Sequence, residues 1–322
     1  MHWADRIGRR LKLRDLHILL AVVQRGSMAK AAAELAISQP AISKAISDME
    51  HTLGLRLLDR GRNGIEPTVY GRALVRRGRA IFDELKQGVE ELEFLADPTR
   101  GKLNIGSTES IAAGLLPAVI DRFSRQHPGV HLNVVQAVIS TLHYRELRER
   151  SIDLLLGRIP ANFAEDDLEA DVLFNDQVVV VAGERNRWAR ARGLKLADLA
   201  NAFWILPPAD TLPGSLAADL FRAAGLDMPS APITTLSIHL CCQLTASGRF
   251  VTPLPTSILR FNGKNLALKV LPIRLPIQLR PVGVVTLKNR TPNPVARLFI
   301  ECVRDIVKPF ADTRDGEVPS RN

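Results

Sequence analysis

The chain is predicted to be a multidomain protein: an N-terminal all-α head with a winged helix-turn-helix, a long linking helix, and a C-terminal α/β part with two sheet-containing lobes. Three observations carry that prediction. Residues Ser27 to Leu58 read as two short helices around a tight turn, leading into a hairpin. Thr68 to Ala96 holds little Pro or Ser and spaces apolar residues at about 3.5 positions, the interval of paired helices. From Lys102 onward strand-like and helix-like segments alternate, as in a sheet covered by helices.

The head is justified element by element. Met28 to Ala36 is Ala-rich behind Ser27, which is placed as an N-cap, and small side chains suit a close helix crossing. After a break at Ile37, Ser38 is a second N-cap and Pro40 falls in the first turn, where its missing N–H costs nothing. The next helix therefore begins at Gln39. Ile42, Ile46, Met49 and Leu53 then form one buried stripe with Ala41 and Ala45 at its margin, leaving Gln39, Ser43, Lys44, Ser47 and Asp48 on the other face. Gln matches the N6/N7 edge of adenine and Lys the O6/N7 edge of guanine, and recognition helices present their N-terminal residues to the major groove. Leu57 to Thr68 has the Gly and Asn chemistry of a hairpin tip, which brings Arg60 and Arg62 to a phosphate or the minor groove.

Periodicity alone fits an ordinary amphipathic helix pair equally well, and the charge distribution favours the DNA reading. Residues 1 to 80 contain 15 Lys and Arg against 7 acids, a local charge of +8 out of a total of +9. Residues 81 to 98 carry one Lys against six acids. Such polarisation is the electrostatic footprint of phosphate binding.

In order, a helix, the Ala-rich helix, Ser38-Gln39-Pro40-Ala41-Ile42-Ser43-Lys44, Glu50, Leu53-Gly54, Leu57-Leu58-Asp59-Arg60 and Pro67-Thr68 with Gly71 resemble the winged helix-turn-helix of LysR-type transcriptional regulators. The resemblance implies a non-enzymatic regulator that binds double-stranded promoter DNA at an inverted repeat. It adds Ser38 and Pro40 to a DNA-binding set of Ser27, Gln39, Ser43, Lys44, Arg60 and Arg62. It also implies a homodimer or homotetramer, contact with RNA polymerase, and a small-molecule effector between two lobes similar to a type 2 periplasmic binding protein. No cofactor is implied.

The expected organisation is a head over 1–67, a dimerising helix over 68–96, a hinge over 97–101 at Asp97-Pro98-Thr99-Arg100-Gly101, and an effector domain over 102–310. Lobe one is expected over 102–166 and 270–310, lobe two over 167–269, and a disordered tail over 311–322. In the long helix, Leu74, Ile81, Leu85, Leu92 and Leu95 carry the repeat over roughly 40 Å. Gly78 and Gly88 weaken that helix by about 1 kcal/mol each relative to Ala, or allow close approach. Lys102 to Ser107, Val130 to Ala137 and Asp153 to Gly157 read as strands, with helices over Ile111 to Gln126 and Thr141 to Arg150. Val172 to Gly183, with four consecutive valines, reads as a strand buried on both faces. Phe203 to Leu206, Ile233 to Thr235, Leu266 to Leu271 and Val282 to Leu287 are further strands; Gly214 to Ala224, Ile238 to Ala246 and Pro294 to Val307 are helices.

The expected effector residues start with Ser107, Thr108 and Ser110, between the first strand and the next helix. Ligands of open α/β sheets sit at strand carboxyl ends, where helix N-termini favour anions, although the same cluster also suits plain capping. Family resemblance adds Ile139, Pro207 and Thr252. The run Gly248 to Pro255 departs from the family turn by Phe250 in place of a glycine and by Pro253. Arg158 either balances an acidic effector or is a solvated loop residue. The Ser and Thr content leans toward a carboxylated or hydroxylated metabolite.

Other functions lack their signatures. Cys241, Cys242 and Cys302 form no CxxC pair, the histidines show no HExxH or HxH spacing, and no metal site is expected. Adjacent cysteines on a helix point apart, so Cys241 and Cys242 are expected to be buried small hydrophobes rather than a redox pair. There is no nucleophile elbow, phosphate loop or dinucleotide fingerprint, and Asp153 and Glu109, the two lone carboxylates, have no evident acid-base partner. A free-standing solute-binding protein fits the C-terminal two-thirds; sequence-selective duplex binding separates it from a regulator. No stretch reaches the roughly 18 apolar residues of a membrane span, and the cysteine usage fits a reducing cytoplasm.

Overall fold

A computed structural model describes residues 11–61, 64–136, 144–160, 163–262, 266–273, 275 and 280–311. They fall into two compact units, 1–89 and 90–322.

In the first unit, α1 (Leu13–Arg25), α2 (Met28–Glu34) and α3 (Gln39–Leu53) precede the hairpin β1 (Leu58–Gly61) and β2 (Gly64–Pro67), and α4 (Val69–Ala96) follows. Leu19, Val22, Ala31, Ile42, Ile46, Met49 and Leu57 pack into its core. The helix α2 stops at Glu34 rather than Ala36, because Ala36 adopts φ +53° and Ile37 N–H turns back to the Ala32 carbonyl at 3.1 Å. α3 starts at Gln39, with the Ser38 hydroxyl accepting from Ala41 N–H at 3.3 Å. Its stripe is buried at Ile42, Ile46 and Met49, and only partly at Leu53.

The wing is sewn to α3 by one carboxylate. Glu50 Oε1 accepts from Leu57 N–H at 2.7 Å and from Leu58 N–H at 3.2 Å. Thr68 donates its hydroxyl to the Arg56 carbonyl at 2.7 Å and accepts from Gly71 N–H at 3.1 Å. A Cβ on Gly71 would stand 2.0 Å from the Leu57 carbonyl oxygen, so only glycine lets α4 begin this close to the wing. Gly78 likewise lies against Leu16, whereas a Cβ at Gly88 meets nothing within 4 Å.

The second unit holds two five-stranded sheets. One has the order β4-β3-β5-β12-β6, from β3 (Arg100–Ser107), β4 (Gly129–Gln136), β5 (Leu154–Arg158), β6 (Leu168–Asp176) and β12 (Arg280–Leu287). The other has the order β11-β7-β10-β8-β9, from β7 (Val178–Gly183), β8 (Phe203–Leu206), β9 (Ile233–Thr234), β10 (Phe250–Pro255) and β11 (Leu268–Val270). The helices are α5 (Glu109–Ala113), α6 (Leu115–Gln126), α7 (Arg145–Arg148), α8 (Leu212–Ala223), α9 (Ile238–Ala246), α10 (Thr256–Asn262) and α11 (Pro294–Ala311). The sheets are mixed: β3 pairs in parallel with β4 and β5, while β12 is antiparallel to both β5 and β6. Each lobe has its own core, built around Phe123 and Phe299 in the first and Trp204 and Phe221 in the second.

Three expectations change. The span Val172 to Gly183 is the end of β6 and all of β7, which lie in different sheets, so lobe one extends through Asp176 and the crossing falls at Gln177 rather than after 166. The return follows β11, whose Val270 pairs with Val181 of lobe two. An apolar run has no feature that says which sheet each half joins. Finally, Ile111 to Gln126 is two helices, because Gly114 takes φ −109°, ψ −91° and breaks the run. The tail over 312–322 lies outside the described residues.

Candidate functional site

Two regions gather the predicted site residues, one in each unit. On the head, Ser38, Gln39, Pro40 and Lys44 are exposed and Ser43 is half-buried, all on or before the first two turns of α3. The first turn carries no acid, so the positive end of the helix is open to an anion. The capping bond occupies the Ser38 hydroxyl, and Ser27 similarly accepts from Lys30 N–H at 3.5 Å at the start of α2. Both serines therefore have a structural task whatever else they touch. Arg60 sits in β1 opposite Ile65, while Arg62 and the side chain of Arg60 lie outside the described residues.

In the second unit a cavity of about 140 Å³ opens between the two sheets. By the same measure one water needs ~10–15 Å³, so the space suits a small organic molecule. Lobe one contributes Thr108, Glu109, Ser110, Gln136 and Arg158; lobe two contributes Pro207, Thr211, Thr235, Cys241 and Thr252 together with an apolar wall that includes Leu212, Leu216 and Ile238. Of the predicted effector residues, Thr108, Ser110, Pro207 and Thr252 meet here. Ser107 does not line the cavity: it is buried and its hydroxyl donates to the Thr108 carbonyl at 3.2 Å. Ile139 lies outside the described residues.

The strands explain the placement. Thr108 follows the carboxyl end of β3, and its N–H bonds the Leu156 carbonyl of β5 at 3.2 Å. Thr252 in β10 donates to the Ile205 carbonyl of β8 at 2.9 Å, leaving oxygen lone pairs to accept. Thr108 and Ser110 hydroxyls lie 3.4 Å apart.

The charged groups are arranged otherwise than the sequence indicates. Arg158 is buried, not solvated, and its guanidinium donates to Asp176 at 3.0 Å. Asp176 also accepts from the hydroxyls of Thr256 at 2.6 Å and Ser257 at 2.7 Å, and from Ser257 N–H at 3.1 Å. The positive charge at this wall is thus already compensated. Glu109, considered above only as an acid-base group, bridges the lobes: one oxygen accepts from Gln136 at 3.2 Å, the other from Ile238 N–H at 3.3 Å, at the N-terminus of α9. Nothing local signals that bond, since its partner lies 129 residues along the chain.

Cys241 and Cys242 are buried free thiols, and burial pushes both up to about 11; Cys302 is raised for the same reason. Such thiols stay protonated at neutral pH and are poor nucleophiles. Asp153, the other lone carboxylate of the sequence, is buried and bonded to Arg290 at 2.9 Å and to Asn104 N–H at 2.8 Å, a structural role. Among the described residues no group of three or more His, Cys, Asp or Glu is placed to hold a metal ion.

Comparison with known proteins gives the same two-part division. A family model described as bacterial regulatory helix-turn-helix protein, lysR family, matches residues 13–72, and one described as LysR substrate binding domain matches residues 96–308. The chain is 30% identical to the HTH-type transcriptional regulator GbpR of Azospirillum brasilense, over 92% of this chain and 86% of that protein. Among solved structures, full-length OxyR from Pseudomonas aeruginosa, a cysteine-to-aspartate variant, superposes with a TM-score of 0.64 at 21% identity, covering 96% of this chain and 99% of that one. Full-length CbnR complexed with its target DNA superposes with a TM-score of 0.52 at 22% identity, covering 92% and 99%.

Proposed function

Because the chain belongs to the LysR family of DNA-binding transcriptional regulators, we propose that it binds an inverted repeat in its target promoter and that a small effector in the interlobe cavity controls the outcome. The observation that carries the DNA half is the exposed N-terminal face of α3, with Gln39 and Lys44 standing over a fully buried Ile42, Ile46 and Met49 stripe. Gln39, Ser43 and Lys44 face bases, while Ser27, Ser38, Pro40, Arg60 and Arg62 position the head on the sugar-phosphate backbone.

Two heads on one inverted repeat require two copies of the chain. Ile81, Leu85, Val89, Leu92 and Leu95 of α4 are each more than two-fifths exposed and recur at helical spacing, an apolar stripe that a second copy would cover. The assembly is a homodimer or a homotetramer, and by family resemblance it contacts RNA polymerase at the promoter.

The cavity supports a ligand with an apolar body and hydroxyl groups within reach of Thr108, Ser110 and Thr252. Of the two classes the sequence favours, the hydroxylated one suits these walls better: Arg158 is matched by Asp176, and Glu109 adds a carboxylate that repels a second one. An effector regulates only by binding one lobe arrangement more tightly than another.

The test is a footprint on the DNA upstream of the gene at two salt concentrations, with unrelated fragments as competitor. Protected dyad half-sites that survive the competitor are expected. Diffuse protection that vanishes with salt would reduce the head to a general polyanion surface and overturn the reading.

A further inference from the structure

We propose that lobe two carries a second DNA-contacting surface, which takes the phosphate backbone of the duplex flanking the site read by α3. It lies at the pole of the lobe two sheet away from the cavity. The cavity is lined by Val178 at the start of β7 and by Pro255 at the end of β10. The opposite ends of those antiparallel strands, Gly183 and Phe250, lie roughly 17 Å away at ~3.3 Å per residue.

Two segments meet at that pole. The chain leaving β7 carries Arg185, Arg187, Arg190, Arg192 and Lys195, and the turn into β10 carries Arg249; all six are exposed. They are held together by short contacts: a Cβ on Gly248 would lie 3.2 Å from the Cβ of Arg185, and Asn186 donates to the Phe250 carbonyl at 3.4 Å. Arg187 and Arg190 open and close a single 3₁₀ turn, in which side chains three apart eclipse, so both project from one edge.

Two of the guanidiniums are preset. Arg187 lies 4.4 Å from the ring centre of Trp188, and Arg249 lies 4.5 Å from that of Phe203 and 5.5 Å from that of Phe250. A guanidinium stacked on a ring keeps its N–H edge free for a phosphate and loses less freedom on binding one. The only acids between 184 and 198 are Glu184 and Asp198, and Asp198 already accepts from Lys195 N–H at 2.8 Å. Among the described residues, none of the six cations is tied to a carboxylate in an ion pair. Arg185, Arg187, Arg190 and Arg249, brought together where these two segments meet, repel one another and match a dense polyanion, with Arg192 and Lys195 adding positive charge further along the same exposed segment. Duplex DNA is the polyanion that a DNA-binding regulator already holds.

The experiment uses the full-length chain and a duplex that spans the footprinted site with several turns of flank on each side. Affinity is measured against salt concentration for the wild type, for R185Q/R187Q/R190Q/R249Q, and for R125Q/R145Q, whose guanidiniums are tied to Asp121 and Glu149. At ~0.9 in salt slope per phosphate contact, the fourfold variant is expected to lower the slope by about 2 to 3.5 and to lose flank protection while keeping the half-sites. The control keeps the wild-type slope. If the fourfold variant melts early, R187Q/R190Q replaces it, with an expected drop of about 1 to 2. A wild-type slope and wild-type flanks overturn the proposal. So does loss of transcription with an unchanged slope and footprint, which would assign the patch to an acidic protein partner. Loss of the half-sites in wild-type protein would instead overturn operator binding by α3.

Discussion

Lys44 and Glu50 lie six residues apart on α3 and do opposite work. Lys44 is exposed, so Lys44→Ala leaves the fold intact and is expected to cost about 1–3 kcal/mol of specific binding if it reads a base. The measurement is affinity for the operator against affinity for random duplex; equal loss on both would make it a phosphate contact. Glu50 instead satisfies the N–H groups of Leu57 and Leu58, and Glu50→Ala leaves two donors without their partner at about 1–3 kcal/mol each. A lowered midpoint of chemical unfolding, with operator affinity falling because the wing drifts, is the expected outcome. The buried thiols set a pH dependence. Cys241 and Cys242 titrate near 11 in the folded chain against about 8.5 when unfolded, so the folded state holds more protons between those values. Their contribution to stability is complete below about pH 8.5 and is lost as pH rises toward 11, which melting curves across that range read out.

At the scale of elements, the determinants are approaches that a side chain would block. Gly71 is where α4 passes the Leu57 carbonyl, and Gly71→Ala must push the long helix off the wing; a clear drop in melting temperature of the head is expected. Along the same helix, charging Leu85 and Leu92 leaves monomer stability nearly unchanged, because both are exposed, and is expected to dissociate the assembly in sedimentation. The helix caps were legible residue by residue: Ser38 and Pro40 announce α3 because capping is decided within one turn. Glu50 was visible only as a family position, since its partners are seven and eight residues away beyond the helix end.

Across the second unit, the chain changes sheets at Gln177, and the groups beside that point tie the lobes together. Asp176 closes β6, receives Arg158 from β5, and takes two hydroxyls and an N–H from the start of α10. α10 itself packs on both lobes: Ile258 joins the lobe two core, Phe261 lies against that of lobe one, and Asn262 donates to the Ala113 carbonyl. Removing the charge with Asp176→Asn leaves Arg158 buried beside a neutral partner, at about 3–5 kcal/mol for a broken buried pair. A loss of that size in unfolding free energy, with the effector response altered in proportion to lobe movement, is the expected result.

What the amino-acid order determined by itself was whatever is decided within a few residues: the caps and turn of the reading head, the polarised charge, the wing glycines, the apolar repeat of α4 and most strand and helix positions. What only the tertiary structure decided was every pairing across long separations: which sheet receives β6, that Arg158 spends its charge on Asp176, that Glu109 reaches α9, and that Ser107 turns inward while Thr108 and Ser110 face the cavity. The physical reason is the range of the forces that leave a mark in sequence. Capping, turn formation and amphipathic burial act between near neighbours and repeat with the period of the element. A hydrogen bond or ion pair between distant strands depends on where the packed layers bring their ends, and the local pattern of neither partner records the other.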